Sequence, residues 1–269
     1  EAFIIVLIST IGICFLVEVF LSQPSLTGIA SGFVPRPLSS KELYVAIGIL
    51  GATVMPHNLY LHSALVQSRD VTRSRQAVAE ACWFNFVDSA IALNCAFFVN
   101  AAILIVAAAA FWSRDIVVSE IQQAHGLLNH TLGTQLAPIV FALALLCAGQ
   151  SSTVTGTLAG QITMEGFLRF RVRPWVRRLI TRLLAIVPAV VVILSVGDEG
   201  VYKLLILSQV ILSMQLPFSI IPLIWFTRRK DIMGELKNGT VTNFLAITTA
   251  VVIIGLNMLL LYQFFGGEF

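Results

Sequence analysis

Charge is what this chain has least of: Asp, Glu, Lys and Arg make up only 12% of its 269 residues. Soluble domains carry about 25%. Combined with 57% hydrophobic residues, that scarcity excludes a water-soluble globular domain. Cysteine is equally sparse, and Cys14, Cys82, Cys95 and Cys147 lie inside apolar segments with no CxxC spacing. Neither a zinc knuckle nor a disulfide framework fits such a pattern, so these read as buried packing thiols. Low-complexity stretches and long linkers are also missing. The longest polar intervals are 23–41 and 113–135, and a single transmembrane domain over 1–269 is the economical organisation. No signal peptide is visible. The chain opens on Glu1, in mid-pattern against a long apolar helix, which is the expectation for part of a longer protein.

What the chain does have is long apolar runs, with a mean hydropathy of +0.89. Seven of them, near 3–22, 43–68, 82–111, 136–164, 179–197, 201–226 and 241–265, are long enough to cross a bilayer as helices. The fold class expected is an all-α polytopic membrane protein. Seven crossings put the two ends on opposite sides. The intervals at 69–80, 165–182 and 228–240 hold three, six and four Lys and Arg, against two, one and one at 23–41, 113–135 and 197–203. By the positive-inside rule the first set is cytoplasmic, which places Glu1 inside and Phe269 outside. The net charge of +3 is therefore a topology signal and gives no support to a nucleic-acid partner, because the basic residues form no compact patch. Lipid is the partner they suit: Arg169, Arg171, Arg173, Arg177 and Arg178 match the anionic inner leaflet.

Within this apolar background, polar residues at depth stand out, because in lipid they are costly and face a bundle interior or water. The hydroxyl-rich run Gly149-Gln150-Ser151-Ser152-Thr153-Val154-Thr155-Gly156-Thr157 reads either as close-packing helix glue or as ligands. Asp88 is either a water-facing carboxylate or a proton relay, and Glu18, near the outer end of its segment, reads as an interfacial charge. Gln209 lies beside Ser208 on a helix loosened by Pro217 and Pro222, and faces either a site or an ordinary interhelical partner.

The most informative residues are Met55-Pro56-His57-Asn58-Leu59-Tyr60, in the middle of an apolar run. Neither 43–55 nor 58–69 alone reaches the roughly 20 residues a crossing needs. Pro56 lacks an N–H and its ring clashes with the carbonyl four positions earlier, so the oxygen of Ala52 loses its helical partner. A free carbonyl in lipid needs a new partner, and unwound carbonyls at mid-membrane are how secondary transporters hold cations. The thioether of Met55 adds a soft ligand, or is simple filler. Sulfur, carbonyl and amide together favour Mn²⁺, Fe²⁺ or Co²⁺ over Mg²⁺ and Ca²⁺. His57 and His62, five residues apart, point about 140° from each other on a helix and cannot chelate one metal as in HExxH. They suit a proton relay, or else helix packing. Arg177 and Arg178 are either partners for carboxylates on an exit route or interfacial anchors. No three-ligand set with an adjacent base can be assembled, which argues against an intramembrane metalloenzyme.

The stretch Gly51-Ala52-Thr53-Val54-Met55-Pro56-His57-Asn58-Leu59-Tyr60-Leu61-His62-Ser63 resembles the sixth-helix signature of the Nramp (natural resistance-associated macrophage protein) family, in its bacterial MntH branch. Asp88-Ser89-Ala90-Ile91-Ala92-Leu93, Met164-Glu165-Gly166-Phe167, Arg177-Arg178-Leu179-Ile180-Thr181 and Leu207-Ser208-Gln209-Val210 support it across the fifth to eleventh helices. The resemblance implies a LeuT-like inverted-repeat fold in the bacterial cytoplasmic membrane and proton-linked import of Mn²⁺ and Fe²⁺, with the ion as cargo and no cofactor. It implies Met55, the Ala52 carbonyl and Gln209 as metal ligands, Thr53, Pro56 and Asn257 at the gate, and His57, His62, Arg177 and Arg178 on the proton pathway. One departure is large: the family's first-helix motif, Asp-Pro-Gly-Asn, which supplies carboxylate and amide ligands, is nowhere in these 269 residues. Helices preceding this sequence are expected to supply it. The competing reading is a truncated, non-transporting membrane module that packs or regulates.

Overall fold

Eleven α-helices, two single-turn 3-10 helices at Trp112–Arg114 and Gly234–Leu236, and no strand are found among the described residues of the computed structural model, which are 2–34, 36–37, 39–67, 69–72, 74–114, 116, 118, 121–168, 173–196 and 198–264. The first, α1 (Ala2–Ser22), is apolar except for Ser9, Thr10, Ser22 and its one charged residue, Glu18, and ends at Gln23, whose φ of 44° lies in the left-handed region. A short α2 (Leu26–Gly32) starts where Ser25 caps the Gly28 N–H. Next comes α3 (Ser40–Thr53), whose start is fixed by a capping box: the Ser39 hydroxyl accepts from the Glu42 N–H, while the Glu42 carboxylate accepts from the Ser39 N–H at 2.8 Å. The chain then breaks at Val54 and Met55 and resumes as α4 (Pro56–Gln67).

Ser74 caps α5 (Arg75–Ala110), whose 36 residues extend about 54 Å at 1.5 Å per residue, well beyond the hydrocarbon thickness. The amphipathic α6 (Ile121–Leu132) stops at Gly133, left-handed at φ 66°. Three long helices follow: α7 (Leu136–Leu168), α8 (Pro174–Val196) and α9 (Asp198–Arg228). Pro188 lies inside α8, and Pro217 and Pro222 inside α9. A single turn, α10 (Lys230–Met233), leads to α11 (Thr240–Phe264). Seven stretches are long and apolar enough to cross a membrane, α3 with α4 counting as one. They coincide with the seven apolar segments of the sequence, including the discontinuous second.

Three intervals expected to be loops hold short helices instead. For α6 the reason is packing: Leu128, on its apolar stripe, is buried with Ala110 and Ala137. For α2 it is the Ser25 cap. At the start of α10 the Arg229 guanidinium pairs with the Asp231 carboxylate, holding that carboxyl below its usual range, and lies 4.6 Å over the Trp225 ring.

The chain folds as two compact units, residues 1–35 with 67–158 and residues 36–66 with 159–269. In the first, α1 packs along α5, and Cys14, Phe15 and Ala144 form a buried cluster with Ile11, Val99, Ala102, Val140 and Phe141. Glu18, one turn after Cys14, falls on the same inward face and is completely buried, with no hydrogen-bond partner for either carboxyl oxygen among the described residues. It is therefore not the interfacial charge expected from its position near a helix end. Asp88 forms an ion pair with Arg69 at 3.3 Å, largely exposed and so worth little. The hydroxyls of Ser151, Thr153, Thr155 and Thr157 donate to carbonyls of their own helix, three or four residues back.

In the second unit α3 lies against α9, with α11 touching both. Ile47 and Val210 are buried at that crossing among Leu43, Tyr44, Ile206, Met214 and Leu256. Gly48 and Gly51, three residues apart on α3, face α9 and allow the two backbones to come close, the usual route to tight packing where lipid offers no hydrophobic driving force between helices. Large apolar side chains such as Phe218, Val241 and Leu194 stay exposed, as expected of surfaces that lipid covers.

Candidate metal site at a broken helix

The break between α3 and α4 follows from one residue. The Val54 N–H still reaches the Leu50 carbonyl at 2.8 Å, and beyond the gap the Asn58 N–H reaches the Met55 carbonyl at 3.1 Å. Neither bond takes up the carbonyl of Ala52, whose partner four residues on is Pro56, with no N–H to give. Val54, at φ −106° and ψ 85°, has left the helical region, while Pro56 opens α4 at the first helical position, where proline's fixed φ is an advantage. Ala52 and Met55 are half-buried and Pro56 is buried, so the unwound turn is sheltered yet reachable.

The helices that pack against α3, α9 and α11, carry buried side-chain oxygens without partners among the described residues. Gln209 donates through Nε2 to its neighbour Ser208 at 3.4 Å, while its Oε1 is buried and has no hydrogen bond. Asn257 on α11, 3% exposed, donates through Nδ2 to the Ile253 carbonyl at 2.9 Å and leaves Oδ1 buried and unbonded. A buried acceptor left unsatisfied costs roughly 1–3 kcal/mol, so side-chain oxygens kept in that condition are poised for a donor or a cation. Gly51 sets how near α9 comes to α3. A Cβ built on it would fall onto the Gln209 carbonyl and lie 2.9 Å from the Ser213 Cβ.

The remaining expected residues fall as follows. Thr53 is exposed, its hydroxyl donating to the Ile49 carbonyl at 2.8 Å. On α4, His57 is half-buried and His62 exposed, as their angular separation requires. Arg178 is exposed near the start of α8, and the side chain of Arg177 lies outside the described residues. A further link was not foreseen: the hydroxyls of Tyr60 on α4 and Ser219 on α9 are hydrogen-bonded at 2.8 Å. Gly51, Ser213 and Ser219 were missed because none is charged and their roles depend on which residues of the two helices lie opposite each other; a signal existed only in Ser213 standing four residues before Pro217.

Seven membrane-capable helices, one of them broken at mid-course, in described residues that contain no strand, define the class as a polytopic membrane protein. Residues 1–263 match the sequence profile of the Nramp, or natural resistance-associated macrophage protein-like, family, and the chain belongs to that family. It is 52% identical over 99% of its length to the divalent metal cation transporter MntH of Nostoc sp., of which it covers 61%. It is 51% identical over 98% of its length to the natural resistance-associated macrophage protein 2 homolog of Dictyostelium discoideum, of which it covers 42%. Among solved structures, a variant of the Eremococcus coleocola manganese transporter matches 97% of this chain and 60% of its own at a TM-score of 0.83, with 36% identity. The chain thus spans about half of the length of the relatives it matches. The Nostoc and Eremococcus proteins are named as metal transporters.

Proposed function

We propose that this chain carries the greater part of a proton-coupled importer of Mn²⁺ and Fe²⁺ that works by alternating access. In this reading it forms one transmembrane domain of LeuT-like, inverted-repeat type in the bacterial cytoplasmic membrane, with the Glu1 end inside and the Phe269 end outside. The observation that carries it is the turn at 54–55: a carbonyl freed by Pro56, a thioether next to it, and the buried, unbonded Oε1 of Gln209 on the helix that packs against it. Met55, the Ala52 carbonyl and Gln209 are the ligands, with Thr53, Pro56 and Asn257 at the gate. The metal is cargo, and no cofactor is called for. All three ligands are neutral, and a divalent ion stripped of water at mid-membrane needs negative charge to offset its desolvation. An Asp-Pro-Gly-Asn helix outside these residues is the expected source of that carboxylate.

Met55 is the element that excludes hard cations, because thioether sulfur adds nothing to Ca²⁺ binding but does bind softer transition ions. In the complete transporter Met55→Ala is expected to weaken discrimination against Ca²⁺ more than it slows Mn²⁺ uptake. Radiolabelled Mn²⁺ uptake into proteoliposomes with competing Ca²⁺ checks this; Ca²⁺ competing no better in the variant overturns the role.

His57, His62, Arg177 and Arg178 form the proton pathway in this reading. An imidazole with an ordinary pKa of about 6.5 exchanges protons in the range where acid-driven uptake operates. The His57→Ala variant is expected to keep Mn²⁺ affinity within about twofold while its acid stimulation between about pH 5 and 7 flattens. Lost affinity with an intact pH profile would make His57 a ligand or packing residue instead.

A further inference from the structure

Proline acts a second time in the same unit. Pro217, inside α9, has no N–H for the carbonyl four residues earlier, which belongs to Ser213, just as Pro56 has none for Ala52. Ser213 is completely buried, and its hydroxyl oxygen has no hydrogen-bond partner among the described residues. That is unusual for serine in a helix, where a hydroxyl normally folds back onto a carbonyl three or four residues earlier, as those of Thr53, Ser195 and Thr227 do here. One residue therefore offers two oxygens without their ordinary partners.

Its position is fixed by Gly51. A Cβ there would lie 2.9 Å from the Ser213 Cβ and 3.0 Å from its backbone nitrogen, so Ser213 abuts the residue directly before Ala52. Gln209 stands one turn earlier on the same face of α9, its buried Oε1 also unbonded, and the 3%-exposed Asn257 contributes a third such oxygen from α11, which touches both α3 and α9. These oxygens, with the Ala52 carbonyl, are neutral and hard, the kind that hold a cation alongside one soft and one anionic ligand.

We propose that Ser213 is a further metal ligand, its hydroxyl and its Pro217-freed carbonyl receiving the divalent cation as it passes the Gln209 amide. This rests on the transport reading above and extends its ligand set one helical turn along α9. A small residue kept only so that α3 and α9 can touch would require the size of serine but not its oxygen, and that difference is what an experiment can separate.

Calorimetric Mn²⁺ and Cd²⁺ binding is measured in detergent on the complete transporter, this chain together with the helix that supplies the carboxylate, for wild type, Gln209→Ala, Ser213→Ala and Ser213→Cys, with melting temperature as the fold control. Ser213→Ala removes the oxygen and adds no volume, so a well-folded variant is expected, with Mn²⁺ affinity down about tenfold, the size of one lost hydrogen-bond-strength ligand. Ser213→Cys places a thiol at the same point and is expected to raise the ratio of Cd²⁺ to Mn²⁺ affinity above wild type. Ser213→Ala with wild-type affinity overturns the proposal whether or not the cysteine variant folds. If Gln209→Ala weakens binding while Ser213→Ala does not, the ligand role of Ser213 fails and the transport reading survives. Absence of Mn²⁺ binding in wild type overturns both.

Discussion

Gly51→Ala is expected to abolish measurable Mn²⁺ binding and to lower the melting temperature, although it adds a single methyl group. The added Cβ would land on the Gln209 carbonyl and inside contact distance of Ser213, so α3 and α9 must separate. Overpacking of this kind costs about 1–3 kcal/mol where flexible side chains yield, and more where backbone is the obstacle, as it is here. The displacement falls between Ala52 and Gln209, which the proposed site needs close together. A control lies one turn earlier. A Cβ on Gly48 would meet only the Ile206 and Val210 methyls at 3.8 Å, ordinary contact, so Gly48→Ala should bind Mn²⁺ within about twofold of wild type. Calorimetry and thermal unfolding on both variants of the complete transporter in detergent check the pair. Equal behaviour of the two would mean that the close approach at Gly51 is not what forms the site.

How far the sequence reaches can be seen by comparing Pro56 with Gly51. Proline acts on its own chain, four residues back, so the break at 54–55 and the freed Ala52 carbonyl follow from the order of residues alone. The role of Gly51 depends on which residue of α9 lies opposite, and the register of two packed helices is not written in either one. Ser213 was hidden for the same reason, though Pro217 marked its carbonyl. Glu18 shows a different limit: depth along a helix was legible, but which face turns inward was not, because a helix apolar on all sides has no stripe to orient it. Short helices inside polar intervals escaped because α2 and α6 owe their existence to a cap and to a few packed side chains and not to long periodicity. The seven long segments were legible because lipid requires each backbone to satisfy itself.

Pro56→Ala is expected to make the protein more stable and a worse binder at once, and that opposition of sign separates it from ordinary damage. Alanine restores an N–H facing the Ala52 carbonyl and removes the ring that pushes that carbonyl aside. Val54 and Met55 can then return to the helix, joining α3 to α4 in one rod from Ser40 to Gln67, the same stretch that already has the length and hydropathy to cross. Each backbone hydrogen bond regained is worth about 0.5–1.5 kcal/mol. Offsetting these is the loss of proline's favourable fit at the start of α4, the smaller effect. The melting temperature should therefore rise by a few degrees. Mn²⁺ affinity should fall tenfold or more, because the Ala52 carbonyl now has a partner it must release before it can hold a cation, and the Met55 sulfur swings to wherever the continuous helix carries it. Thermal unfolding and calorimetry on one preparation measure both. A variant that binds Mn²⁺ as wild type does would show that the broken turn does not make the site, and one that binds weakly only because it is less stable would show that Pro56 serves packing.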